Sequence, residues 1–180
     1  MSATLRLGTR RSALAMAQSR HVAAALTEQT GVEVELVPVT TAGDVSTAAL
    51  SQIGGTGVFV SALREAVLAG EVDLAVHSLK DLPTGDAAGI RLAAVPARED
   101  ARDVLVARDG LTLGELPAGA TVGTGSPRRA AQLAALGLGL DVVGIRGNVD
   151  TRLRAVADGR VDAVVLAAAG LRRLGRIAEA

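Results

Sequence analysis

The chain of 180 residues is long enough for one large domain or two small ones, and its 49% hydrophobic content can fill a proper core. Its 19 acidic and 19 basic residues cancel to a formal charge of zero, which argues against a non-specific nucleic-acid binder. The lack of cysteine excludes disulfides, thiolate chemistry and cysteine-based zinc sites on this chain.

Short β-branched runs alternate with longer amphipathic ones, the pattern of an α/β protein. The opening stretch, MSATLRLGTRRS, has no apolar core of signal-peptide length. A strand over Leu5–Gly8 leads into a helix over Ser12–Gln29, where Leu14, Ala17, His21, Ala24 and Ala25 recur at helical spacing. Gly8-Thr9-Arg10-Arg11-Ser12 lies at that junction. Ser12 is a good N-cap, and the free N–H groups behind it attract anions. A capped helix with two solvated arginines would carry the same residues. After a strand over Glu33–Val39 comes GGTGVF, residues 54–59, just before a helix over Val58–Ala69. It lacks the Gly-Lys-Ser/Thr ending of a phosphate loop and reads as a lid. Phe59 is the sole aromatic and reads as a core residue, so the remaining core must be Ala, Val and Leu.

A strand over Val72–His77 then runs into Ser78-Leu79-Lys80-Asp81-Leu82-Pro83, which holds the only lysine of the chain. Asp81 reads either as a functional acid or as a turn residue paired locally with Lys80. His77 and His21 offer no metal-ligand spacing and read as structural. Further strands are expected over Arg91–Val95, Val104–Val106, Thr121–Gly123, Asp141–Ile145 and Asp162–Leu166. Helices are expected over Pro127–Ala135 and Val149–Ala157. In VGTGSPRRAAQL, 122–133, Ser126 caps and Pro127 takes the first helical position, while Gly123 and Gly125 let the backbone curl amides into a pocket. Arg128 and Arg129 fall in the first turn, where the helix dipole already places positive charge. Such a pair calls for a ligand with several negative charges, or else is simply solvated. IRGNVDTRLR, 145–154, repeats the design: Arg146 at a strand end, Asn148 as cap, Arg152 and Arg154 beyond it, the last of them a surface residue. The longest apolar run, AVVLAAAGL at 163–171, falls well short of the roughly 20 residues of a spanning helix. A soluble cytoplasmic protein is the expectation.

LREAVLAGEVDLAV (63–76) echoes LRAVADGRVDAVV (153–165): a helix, a glycine, then Val-Asp opening an apolar strand. Gly70 and Gly159 would end their helices in the left-handed region. The echo suits two lobes of related build, 1–97 and 98–180, meeting near VPARED at 95–100. Two-lobed α/β proteins bind ligands in the cleft between the lobes, outside the strand ends.

LGTRRSALAMAQ, TTAGD, GGTGVF, DLAVHSLKDLP, REDARDVLV, VGTGSPRRAAQL, IRGNVDTRL and DAVVLAAAGLRRLG together resemble the porphobilinogen deaminase (hydroxymethylbilane synthase) family across residues 5–175. The resemblance implies two lobes like a type II periplasmic-binding-protein clamshell, with the active-site cleft between them. It implies a deaminating transferase of porphyrin and heme biosynthesis. Such enzymes join four porphobilinogen units head to tail, releasing ammonia, into the linear tetrapyrrole hydroxymethylbilane. The implied partners are porphobilinogen and linear pyrrole oligomers, strings of carboxylates, with no nucleic acid, membrane or metal. Arg10, Ser12, Lys80, Arg128, Arg129, Arg146, Arg152 and Arg173 match the residues that bind those carboxylates, with Ser78, Thr124 and Ser126 assisting. Asp81 matches the catalytic aspartate, which would stabilise positive charge on pyrrole nitrogens and move protons. Gly54, Gly55, Thr56, Gly57 and Phe59 match the lid.

Three departures accompany the match. Thr56 replaces the lysine common in the family's lid. Gly125 and Pro127 replace residues more often serine and leucine. The family's third domain, whose cysteine carries the dipyrromethane cofactor as a primer, is absent from this sequence, as is the segment returning to complete the first lobe. The expectation is therefore a fragment or truncated product that cannot assemble its own covalent primer. The alternative is a non-catalytic two-lobed binding module for a polycarboxylate small molecule.

Overall fold

The computed structural model describes residues 4–41 and 60–180, so the predicted lid residues Gly54, Gly55, Thr56, Gly57 and Phe59 lie outside the described residues. The chain forms two compact units, Met1–Ala97 and Arg98–Ala180.

The first unit is built on a parallel three-stranded sheet in the order β2-β1-β3, with β1 (Leu5–Arg10) between β2 (Val34–Val39) and β3 (Leu74–Ala75). Helix α1 (Ala13–Thr30) starts at Ser12, whose Oγ accepts the Ala15 N–H at 3.3 Å, and ends at Gly31 with φ 72°. Its packed side is Ala15, Ser19, Val22 and Leu26, whereas His21, Ala24 and Ala25 are exposed. The predicted apolar face is thus rotated. In so alanine-rich a helix every side carries apolar residues, and spacing alone cannot choose among them. Helix α2 (Ser61–Leu68) buries Leu63 and Ala66. The predicted strand over 72–77 shrinks to β3, and 91–95 forms no strand at all, with Leu92 and Val95 well exposed. An apolar run becomes a strand only where a neighbour takes its backbone N–H and C=O groups, and none among the described residues does so here.

The second unit has a four-stranded sheet in the order β4-β7-β5-β6. Its strands are β4 (Asp103–Ala107), β5 (Thr121–Thr124), β6 (Asp141–Gly144) and β7 (Ala163–Ala167). All run parallel except the edge strand β4, which is antiparallel to β7. Helices α3 (Pro127–Ala135), α4 (Val149–Ala157) and α5 (Ala168–Arg173) complete it. Period-2 alternation splits the core in two. Val104, Val106, Val164 and Leu166 pack with Leu153, Val156 and Leu171, while Leu105, Val122, Ala163 and Val165 pack with Leu133 and Leu116. Helix α5 was not foreseen, because its alanines continue the apolar run of β7 without a break.

The internal echo is structural as well as textual. Gly70 and Gly159 both adopt left-handed backbone, with φ 69° and 68°. The next residue in each case donates its N–H back into the helix, Glu71 to Ala66 and Arg160 to Ala155, both at 2.9 Å. The Val-Asp aspartates then clamp the central strand. Asp73 accepts the Arg6 backbone N–H at 2.7 Å, and Asp162 accepts that of Thr121 at 2.8 Å. Pairing follows the same register, Leu7 with Leu74 and Gly8 with Ala75, against Val122 with Ala163 and Gly123 with Val164. Both carboxyls are held below the usual carboxylate range. For Asp73 the main cause is the Arg6 guanidinium, and for Asp162 it is the Thr121 N–H.

Candidate functional site

In the first unit the candidate residues gather at the carboxyl ends of β1 and β3, which lie on one edge because the strands are parallel. Arg10 ends β1 and Ser12 caps α1. Beneath them Ser19 Oγ donates to Thr9 Oγ1 at 2.7 Å, a buried pair that ties α1 to β1. After β3 the chain makes a 3₁₀ turn, Leu79–Asp81, closed by the Asp81 N–H on the Ser78 carbonyl at 2.9 Å. Ser78 Oγ donates to Gln18 Oε1 of α1 at 2.9 Å, so α1 also fixes the foot of this turn. Asp81 is three-quarters buried and faces the Arg10 guanidinium at 4.0 Å, whereas Lys80 is exposed. The local pairing of Asp81 with Lys80 weighed from the sequence does not form; the nearby cation comes from β1. Next to this site His77 is pushed below its ordinary pKa by burial, and Arg10 and Arg64 add to the effect while Asp81 opposes it.

In the second unit the candidates again sit at parallel strand ends. Thr124 closes β5 fully buried, and its Oγ1 accepts the Ser126 N–H at 3.2 Å. Ser126 caps α3 through a long bond from the Arg129 N–H, 3.5 Å. Asn148 caps α4 more tightly, accepting the Thr151 N–H at 2.9 Å. The glycines act differently from the sequence expectation. Neither Gly123 nor Gly125 has positive φ, so no unusual curl is involved. A Cβ on Gly123 would meet Ile145 at 3.1 Å and Val164 at 3.2 Å, and one on Gly125 would meet the Ile145 carbonyl at 2.9 Å and the Arg152 guanidinium at 3.4 Å. Their role is close approach. They let the ends of β6 and α4 press against β5.

Four of the five predicted arginines of this unit cluster there, each in a different situation. Arg128 is exposed in the first turn of α3. Arg129 is paired with Asp103, a residue the sequence reading passed over; the cue was an acid opening the apolar run DVLVA. Arg152 donates from Nε to the Gly147 carbonyl at 3.0 Å, and burial, then Arg129 and Arg146, lower its pKa. Arg146 has a buried Nη1 with no hydrogen-bond partner among the described residues. Among the described residues no carboxylate lies within ion-pair distance of Arg146 or Arg152. Leaving a buried donor unmade costs about 1–3 kcal/mol, more for a charged group. Half-buried like charges without an internal counter-ion make an arrangement that an anion would stabilise. Arg173 lies apart from these contacts, half-buried in the last turn of α5 and near enough to Glu99 to help lower its carboxyl. No group of three metal-ligating side chains is present among the described residues, and no described helix is long and apolar enough to cross a membrane.

Residues 5–180 match the family model described as porphobilinogen deaminase, dipyromethane cofactor binding domain. The porphobilinogen deaminase of Leifsonia xyli subsp. xyli is 66% identical over 96% of this chain, which covers 53% of that relative. That of Thermobifida fusca is 66% identical over 96%, covering 54%, and that of Mycobacterium avium 57% identical over 97%, covering 55%. The chain thus spans about half the length of the curated relatives it matches. Among solved structures the methionine-binding protein MetQ matches with TM-score 0.54 at 17% identity, over 96% of this chain and 73% of that one. A periplasmic substrate-binding protein of an ABC transporter from Coxiella burnetii gives 0.52 at 14%, over 95% and 74%. At such identities the likeness is one of fold, the α/β class of periplasmic binding proteins.

Proposed function

We propose, from the premise that this chain belongs to the porphobilinogen deaminase family, that it carries the carboxylate-recognition and acid–base residues of a hydroxymethylbilane synthase. The observation that supports this reading best is the Arg146 Nη1, which has no partner among the described residues, beside an Arg152 that likewise has no counter-ion among them. Porphobilinogen brings an acetate and a propionate, and each added unit brings two more carboxylates. Arginine takes a carboxylate through two parallel N–H bonds, so a cluster of guanidinium groups suits a chain of such units. Arg128, Arg129, Arg146, Arg152 and Arg173 would hold those groups in the second unit, and Arg10 and Lys80 in the first, with Ser12, Ser78, Thr124 and Ser126 as lesser donors.

The same residues fit the dipyrromethane cofactor, a pyrrole pair that bears carboxylates of the same kind. When bound, that group supplies the free pyrrole carbon from which the chain is extended. This sequence has no cysteine, so nothing here can anchor it through a thioether. Asp81 has a different task. As ammonia leaves porphobilinogen and the next pyrrole attacks, positive charge builds on ring nitrogens. A carboxylate held on a rigid turn stabilises that charge and accepts or returns the ring N–H proton, for an effect of about 10²–10⁴-fold in rate. Arg10, 4.0 Å away, is the cation that faces Asp81.

The test is incubation of the chain with porphobilinogen and free dipyrromethane, following ammonia and identifying the product. Ammonia release with a linear tetrapyrrole or its cyclised porphyrin is the expected result, and the intact mass of the chain should stay unchanged. Tight porphobilinogen binding with no ammonia release would favour a non-catalytic polycarboxylate binder instead.

A further inference from the structure

Arg129 stands at the start of α3, an unfavourable place for a cation. The structure supplies the compensation from within the unit. Asp103, the first residue of β4, accepts from Nε of Arg129 at 2.8 Å through Oδ2 and from Nη2 at 2.6 Å through Oδ1. Two parallel bonds along one edge fix both the position and the plane of the guanidinium. Nη1 reaches the Val165 carbonyl on β7, the strand paired with β4, at 3.4 Å. A guanidinium has five N–H donors, and these contacts engage three of them. The other two, one on Nη1 and one on Nη2, remain for a ligand carboxylate.

We propose that Asp103 is a positioning residue for carboxylate recognition: it grips the inner edge of Arg129 so that the outer edge is presented to the ligand in one fixed orientation. This rests on the reading of the second unit as a carboxylate site. Without Asp103, Arg129 would face Arg128, Arg152 and the positive helix end with no counter-charge, and its long side chain would turn out to solvent. Asp103 also offsets one positive charge in the cluster, which lets Arg129, Arg146 and Arg152 stay close together. The opposite role, an internal carboxylate that competes with the ligand, predicts the opposite sign for every effect below.

The experiment is calorimetric titration of the chain with two probes, porphobilinogen and the simple tricarboxylate tricarballylate. Five proteins are compared: wild type, Asp103→Asn, Asp103→Glu, Arg129→Met and the Asp103→Asn, Arg129→Met double variant. Asp103→Asn should weaken both probes about tenfold, and it should add nothing in the Arg129→Met background, since it acts through that side chain. Asp103→Glu should recover part of the loss. Unchanged or tighter binding by Asp103→Asn, or an equal loss in the Arg129→Met background, would overturn the proposal. A wild-type measurement guards against misfolded variants. The Arg129 Nε–H resonance should be slow to exchange and should persist on adding tricarballylate; its loss on binding would mean that the ligand displaces Asp103, against the proposal. If tricarballylate behaves as expected while porphobilinogen fails to bind, the positioning role stands and only the choice of substrate falls.

Discussion

The two units share one scaffold and differ in what they hang on it. Each has a central strand carrying Gly-Thr, Gly8-Thr9 or Gly123-Thr124, with the threonine buried and a serine cap just beyond. In each, a helix ends in a left-handed glycine and an aspartate clamps a backbone N–H near the start of the central strand, Arg6 or Thr121. At the functional edge the likeness stops. The first unit presents an acid, Asp81, on a short turn beside an arginine, whereas the second presents arginines most of which have no counter-ion among the described residues. A repeated βαβ frame therefore fixes where a side chain can act, and the few residues after each strand decide whether it acts as an acid or as an anion receptor.

Removing a cation from the second unit is the strongest way to sharpen that contrast. Arg146→Gln should weaken porphobilinogen binding about 10–100-fold, the worth of a charge-assisted hydrogen bond shielded from water. Thermal unfolding should show no loss of stability, since the orphaned donor leaves with the charge. Calorimetry and a melting curve decide both points.

The shared frame itself breaks at its glycines. Gly8→Ala puts a Cβ 2.9 Å from Leu63 and 3.1 Å from Val72, and Gly123→Ala puts one 3.1 Å from Ile145. Each should cost about 1–3 kcal/mol in chemical denaturation, with Gly8 at the upper end because Leu63 and Val72 have no room to move. Caps come next. Asn148→Ala removes a 2.9 Å bond and Ser126→Ala a 3.5 Å one, so within the usual range of about 0.5–2 kcal/mol the asparagine should cost more.

The smallest effect is one of pH. Burial lowers the pKa of His77, so the unfolded chain binds a proton at a higher pH than the native one does. Stability contributed by the neutral imidazole is present above about pH 6.5 and declines as pH falls from there through the lower native value. His77→Gln should flatten that slope in melting curves taken between pH 5 and 8.

How much of this was legible in the sequence follows from range. Local chemistry read well: Ser12, Ser126 and Asn148 cap as expected, and helices α3 and α4 fall on their predicted residues. Gly70 and Gly159 are where the echo placed them. What failed depended on neighbours distant in the chain. The apolar run at 91–95 found no partner strand, and the packed face of α1 was hidden by alanines on every side. Gly125 proved to be a gap for a carbonyl and a guanidinium. Asp103 is 26 residues from Arg129, and although an acid opening DVLVA marks it, the local stretch does not say which cation it meets. The roles proposed for the site residues that pattern reading alone left open, Asp81 above all, come from the family motifs and not from local pattern.

Asp81→Asn tests the central claim most directly, measured twice on the same protein: porphobilinogen affinity by calorimetry, and ammonia release with free dipyrromethane supplied. If Asp81 is the acid–base residue, release falls by about 10²–10⁴-fold while affinity does not improve. If the carboxylate merely repels an anionic ligand, the variant binds more tightly with ammonia release no lower than in the wild type, and the catalytic account fails.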